Sequence, residues 1–246
     1  MASLPPAALS DGEISSVIDA PRDINFDPRH YHAAIFDLDG TLVHSEHVWE
    51  HAKVEVAARY GKYPSRALLD AHVGRGLRDF LDEVFEMPLT PEMRRAIGDQ
   101  IGAVADGLLD HLREPVPGAR DWLIGVAELG VRVAVCSSSP RRHIDGALEM
   151  LGIADVVELS VSASELSVGK PDPLPFLTTL DRLSLSAERA FAVENSVPGA
   201  RSARGAGLFT IAVGPGCTGA AYHFCDLCTE NYDSLSHLIP APTRES

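Results

Sequence analysis

The sequence predicts an α/β protein in which a parallel-sheet core is interrupted by an inserted all-helical segment. Two observations carry this. From residue 119 onward, strand-length apolar runs alternate with stretches of helical spacing, the pattern of a parallel sheet with right-handed crossovers. A long stretch of purely helical spacing separates the first apolar run from that alternation.

In chain order, residues 1–28 hold Pro5, Pro6, Pro21 and Pro28 with scattered acids and no periodicity, and read as an N-terminal extension on the surface or disordered. Tyr31–Phe36 is the first strand, ending abruptly at Asp-Leu-Asp-Gly-Thr. From Glu46 to Leu112, apolar residues such as Val48, Ala52, Val56, Phe80 and Val84 recur at three or four residues, predicting helices. Pro115, Pro117 and Gly118 then stop the helix. After them Ala119–Leu129, Arg141–Leu151, Pro173–Leu183 and Ala200–Ala206 read as helices, and Val131–Cys136, Val156–Val161, Ala190–Glu194 and Leu208–Val213 as strands. The expected division is therefore an extension (1–28), a core (29–45 and 114–246) and a helical insert (46–113).

A formal charge of −14 over 246 residues argues against nucleic acid and anionic lipid as partners, and asks for local positive charge if the substrate is an anion. No apolar run approaches the ~18 residues that would span a bilayer. The N-terminus lacks the basic start and continuous apolar stretch of a secretory signal, so a cytoplasmic protein is expected, a monomer or dimer. Cys136, Cys217, Cys225 and Cys228 make no disulfide framework. Cys225-x-x-Cys228 with His223 has part of a zinc spacing, but packing near the chain end is the favoured reading because no second Cys pair follows.

Four strands end in short polar motifs, and parallel strands bring such ends to one edge of the sheet. The first carries Asp37 and Asp39, a carboxylate pair that repels itself unless a cation or proton intervenes, which invites Mg2+. The second, Ser137-Ser138-Ser139-Pro140, offers hydroxyls and N–H groups at a helix start, a cradle for an anion with Ser137 best placed. The third holds Lys170, one of only three lysines in an arginine-rich chain, where a compact ammonium is called for. The fourth, Glu194-Asn195-Ser196, supplies hard oxygens of the kind magnesium prefers.

Together these motifs resemble the haloacid dehalogenase superfamily of phosphohydrolases, whose pattern begins Asp-x-Asp-Gly-Thr and continues through a Ser/Thr, a Lys and a pair of acids. The resemblance runs from about Ala33 to Val213 and is nearest to the β-phosphoglucomutase and sugar-phosphate phosphatase branch. It implies a Rossmann-like core under a helical cap, and a small phosphorylated substrate such as a sugar or cyclitol phosphate. It also implies catalysis by Asp37 as nucleophile and Asp39 as acid and base. Ser137, Ser138 and Lys170 would hold the phosphoryl oxygens, and Mg2+ would lie among Asp37, the Asp39 carbonyl, Glu194 and Asn195.

Two departures stand out. The family's second acid in the last motif is Asn195 here, which brings an oxygen without a charge; either it or Glu194 is then the direct ligand. Relatives with mutase activity carry a histidine ten residues after the second aspartate, where this chain has Trp49, and a cap lysine for which Lys53 and Lys62 lie too early. Hydrolysis is thus expected over phosphosugar transfer, the other alternative being a non-enzymatic module on the same fold. In the helical insert, Arg75 and Arg78 flank Gly74 and Gly76, and Arg75 is the expected contact to the substrate's distal groups. His44, His47 and Trp49 are candidates for the pocket wall, with Trp49 expected in the insert's own core.

Overall fold

The structure, a computed structural model, describes residues 26–85 and 88–239. Along the chain run β1 (Ala33–Phe36), β2 (Val43–His44), α1 (Glu46–Arg59), α2 (Arg66–Ala71), α3 (Leu77–Val84), α4 (Pro91–Leu112) and β3 (Glu114–Pro115). There follow α5 (Ala119–Glu128), β4 (Arg132–Ser137), α6 (Arg141–Leu151), β5 (Val157–Ser162), α7 (Leu174–Leu183), β6 (Ala190–Glu194), α8 (Val197–Gly205), β7 (Phe209–Val213) and β8 (Leu227–Thr229). Six strands form one parallel sheet in the order β5-β4-β1-β6-β7-β8.

The central strands β1 and β6 are buried on both faces, which is why they read as continuous apolar runs. Their side chains still alternate. Ala34 and Phe36 pack on one face with Trp122 and Leu123 of α5 and Ile144 and Leu148 of α6, whereas Ala33 and Ile35 pack on the other with Phe176 and Leu180 of α7 and Ala203 of α8. This three-layer arrangement holds the C-terminal ends of β1, β4 and β6 side by side.

Helices α1 to α4 pack around an apolar cluster of their own, with Val48, Ala52, Val56, Phe80, Leu81, Ile97 and Ile101 at its centre. The chain leaves the core through β2 and returns through β3. These two form an antiparallel ribbon pairing Val43 with Pro115 and His44 with Glu114. Two-residue strands carry no periodicity, so the sequence pattern missed them, as it missed three-residue β8. Helix α8 begins three residues earlier than expected: Ser196 caps it by accepting from Gly199 N–H, and Pro198 fits the first turn.

Of the predicted extension, residues 1–25 lie outside the described ones. Phe26 belongs instead to the core, stacked on Phe209 and edge-on to Phe191. At the other end, Cys217 and Cys225 pack against Ala200 and Ala212. The Cys217 and Cys228 thiols donate to the carbonyls of Asn195 and Tyr222, and the exposed His223 ring bonds the Ala220 carbonyl. Among the described residues no helix is long and apolar enough to cross a membrane.

Candidate active site

Strand β1 stops at Phe36, so Asp37 and Asp39 sit just past it and not on one strand face. Asp37 N–H still donates to the Val193 carbonyl (2.9 Å), continuing the sheet register for one more residue. Gly40, at φ +84°, then turns the chain back, its N–H donating to the Val43 carbonyl. A Cβ here would lie 2.0 Å from Asn195 Nδ2, so only glycine lets the turn approach the fourth motif.

Beneath Asp37 lies Lys170, fully buried, whose ammonium donates to Asp37 Oδ1 (2.6 Å), Glu194 Oε1 (2.6 Å) and the Cys136 carbonyl (2.9 Å). Burial works against the charged ammonium, but Asp37 and Glu194 outweigh it and hold its pKa well above the ordinary lysine value. The other Glu194 oxygen accepts from the N–H groups of Asn195 and Ser196 and from the Ser196 hydroxyl, at the N-terminus of α8. A Cβ on Gly199 would fall 1.7 Å from that carboxylate, so α8 leaves room for it by a glycine. Burial, then the Glu194 charge, push the Asp37 carboxyl up to about 8 against the pull of Lys170. The floor carries an excess of negative charge.

Asp39 is held by four donors. The Ser45 hydroxyl and Trp49 Nε1–H (3.1 Å) reach Oδ1, and the hydroxyls of Ser137 (3.2 Å) and Ser139 (2.7 Å) reach Oδ2. Ser45, Trp49 and Ser139 had no such role in the sequence reading. Trp49 takes its expected place in the insert's core and also borders the cavity, where it meets His143 of α6 edge-on. Ser137 is fully buried behind Asp39 and accepts from Ser139 N–H, so Ser138 and Ser139 are the serines that face the cavity.

Asn195 is tied to both halves of the molecule. Its Nδ2 donates to Glu46 Oε1 on α1 (3.0 Å), and its Oδ1 accepts from the Thr41 hydroxyl (3.2 Å). The Gly-Arg-Gly turn makes a second tie, the Gly74 carbonyl accepting from the Ser138 hydroxyl (3.0 Å). A third is Arg78, which donates to the carbonyls of Leu166 and Ser167 and does not border the cavity. Arg75 does border it, with its guanidinium paired to Asp79 (2.9 Å). His47 lines the rim, whereas His44 is exposed on β2 and does not.

The cavity measures about 390 Å³. Asp37, Asp39, Ser138 and Ser139 are at the core side, and Glu46, Trp49, Glu50, Lys53, Arg66, His72 and Arg75 are on the helical side. Lys53, placed too early by its sequence position, is in fact in this wall.

The chemistry of the floor fits a hard cation. Three carboxylates, Asp37, Asp39 and Glu194, stand against one ammonium. Glu194 is consumed by Lys170 and α8, leaving Asp37 Oδ2 and Asn195 Oδ1 as side-chain oxygens with the least engagement. Among the described residues no group of three or more His, Cys, Asp or Glu side chains is placed to hold a metal, so a cation here would rely on amide and backbone oxygens as well as carboxylate.

The haloacid dehalogenase-like hydrolase family model matches residues 31–207. Hexitol phosphatase B of Escherichia coli K12 is 31% identical over 193 residues, covering 76% of this chain and 85% of its own. Phosphoglycolate phosphatase of Rhodospirillum rubrum is 32% identical over 184 residues, covering 72% and 76%. Among solved structures, β-phosphoglucomutase of Clostridium difficile superposes with a TM-score of 0.75 at 20% identity, covering 85% of this chain and 96% of that one. The six-stranded parallel sheet, the floor described above and these likenesses agree: the chain belongs to the haloacid dehalogenase-like hydrolases, as a phosphoric monoester hydrolase.

Proposed function

We propose that the chain is a Mg2+-dependent phosphatase that hydrolyses a small phosphorylated sugar or cyclitol through an aspartyl phosphate on Asp37, with α1 to α4 acting as its cap. The observation that carries this is the pairing of two differently held carboxylates at one cavity floor. Asp37 has one oxygen on Lys170 and the other without a hydrogen bond among the described residues, and Asp39 is clamped by four donors.

In this reading Asp37 Oδ2 attacks phosphorus and the bond from phosphorus to the ester oxygen breaks. Asp39, protonated on Oδ2 with a serine hydroxyl turned to accept from it, delivers that proton to the departing alkoxide. Asp39 then takes a proton from water as that water attacks phosphorus, and the bond to Asp37 breaks to release inorganic phosphate. Ser138 and the N–H groups at the start of α6 steady the phosphoryl oxygens, and Lys170, its three donors spent on Asp37, Glu194 and the Cys136 carbonyl, holds the nucleophile from beneath in place of the phosphoryl contact expected of it. Magnesium, held by Asp37, the Asp39 carbonyl and Asn195 with Glu194 behind them, would supply the positive charge that lets one anion approach another.

Trp49 favours water over a second sugar as acceptor. An indole N–H donates a hydrogen bond but has no lone pair with which to take a proton, so it positions Asp39 and cannot relay protons as a histidine would. The test is phosphate release from 4-nitrophenyl phosphate and from a panel of phosphorylated sugars, cyclitols and nucleotides, with and without Mg2+. Release that needs Mg2+ and disappears in Asp37→Asn is expected, with no isomerised sugar phosphate; a wild type that releases no phosphate from any of them overturns the reading.

A further inference from the structure

Lys53 is a cation on the helical wall of the cavity that makes none of the hydrogen bonds of the catalytic floor. It follows Trp49 by four residues on α1, which places it on the same helix face about 6 Å farther from Asp39. Only 9% of it is exposed, and its ammonium lies over the Phe80 ring, 5.3 Å from the centroid. It makes no hydrogen bond among the described residues, yet it borders the cavity. Its stem is buried while its nitrogen is not among the buried polar atoms that lack a partner, so the ammonium opens to the cavity and can take an acceptor that the protein does not supply.

The surroundings say which kind. The two guanidinium groups that could grip an anion are already engaged: Arg66 with Glu50 (2.7 Å) and Asp70 (2.5 Å), Arg75 with Asp79 (2.9 Å). Lys53 is flanked on its own helix by Glu50 and Glu46, both bordering the cavity, and both carboxylates act on its charge. Facing it across the insert is His72, buried, its Nε2 on Glu83 (2.8 Å) and its Nδ1 without a partner. Burial pulls the His72 pKa down, favouring the neutral ring. A carboxylate or second phosphate set against Lys53 would meet Glu50 and Glu46 as like charges. A hydroxyl fits both, since its oxygen accepts from the ammonium while its proton goes to the glutamate.

We propose that Lys53 is a specificity-determining residue that, with Glu50, binds a hydroxyl of the leaving group one helical turn beyond the ester oxygen, so that polyhydroxylated phosphates are preferred over phosphates ending in a carboxylate. This rests on the phosphatase reading above and names the leaving group for that site.

The experiment compares kcat and KM of wild type, Lys53→Met and Glu50→Gln on a hexitol phosphate, on 2-phosphoglycolate and on 4-nitrophenyl phosphate. Wild type should prefer the hexitol phosphate to 2-phosphoglycolate. Lys53→Met should lower the hexitol-to-aryl ratio of kcat/KM by about 10- to 100-fold, the loss of a hydrogen bond to a charged group, and mainly through KM. Glu50→Gln, a partly exposed site that does not threaten the fold, should lower that ratio in the same direction. Ratios unmoved in both variants, or a loss confined to 2-phosphoglycolate, overturn the inference while leaving the phosphatase reading intact. A wild type inactive even on the aryl phosphate overturns the reading beneath it.

Discussion

Lys170→Met removes the one ammonium between two buried carboxylates. In the wild type its donors lie 2.6 Å from Asp37 and 2.6 Å from Glu194, and neither the lysine nor Glu194 has exposed side-chain surface. Methionine fills similar volume against Phe176, over whose ring the ammonium sits, so the change is electrostatic more than steric. Breaking a buried pair by deleting one partner destabilises by about 3–5 kcal/mol. Here two acids lose their partner at once, though Glu194 retains three donors at the start of α8. The effect should therefore fall near 4 kcal/mol at pH 8. Asp37, already raised to about 8 by burial in the wild type, loses the pull of Lys170 and is pushed higher still, so the folded variant takes up its proton more fully than the wild type does and gains more stability as pH falls from 8 toward 5. Urea unfolding of both proteins at pH 5 and pH 8 should show the gap narrowing at the lower pH. A difference under 1 kcal/mol, or one equal at the two pH values, would refute the charge-bridge account.

Three further outcomes follow from the same geometry. Gly74→Ala must displace the turn between insert and core, because a Cβ at φ +76° would lie 2.1 Å from Ser196 Oγ, which is itself pinned to Glu194 and Gly199; KM should rise about tenfold and the melting temperature fall by a few degrees, and an unaltered KM would refute the contact. Asn195→Asp replaces a hydrogen bond to Glu46 by two facing carboxylates, about 1–3 kcal/mol destabilising without divalent cation, and thermal unfolding should show a larger Mg2+-induced rise for the variant than for wild type; equal rises would refute the placement of the ion beside residue 195. Burial pulls Lys53 down to about 8 against the pull of Asp39, Glu50 and Glu46, so the folded state carries fewer protons than the unfolded chain between pH 8 and about 10.5 and stability rises across that window. Lys53→Met should then be more stable than wild type at pH 7, by up to the order of 3 kcal/mol, with the advantage fading by pH 10; denaturant titrations at both pH values measure it.

The sheet and the floor were legible for one reason: a parallel sheet turns chain order into spatial order. Once Asp37, Ser137 and Glu194 are each recognised at the end of an apolar run, the pairing of β1 with β4 and β6 leaves them adjacent. Lys170 follows its strand by eight residues, and its rarity among the basic residues marked it where its distance from the strand could not. Helical periodicity likewise showed that α1 to α4 exist, because apolar spacing is a local property.

The walls were illegible for the complementary reason. Which face of α1 turns toward the core depends on how four helices pack, and the spacing of Val48, Ala52 and Val56 marks only the side that is apolar. Trp49 and Lys53 flank that stripe. Both are buried and both have a polar end that reaches the cavity, so hydropathy sees the half of the tryptophan that packs in the insert's core but not its N–H on Asp39, and it sorts the lysine wrongly toward solvent. The signal that could have found them is their common spacing. Glu46, Trp49, Glu50 and Lys53 recur at three and four residues, as a helix face does, and that face begins seven residues after Asp39. A helix starting so close to the nucleophile's turn must present one face to the reaction centre, and the polar residues on that face are the ones positioned to touch what leaves it.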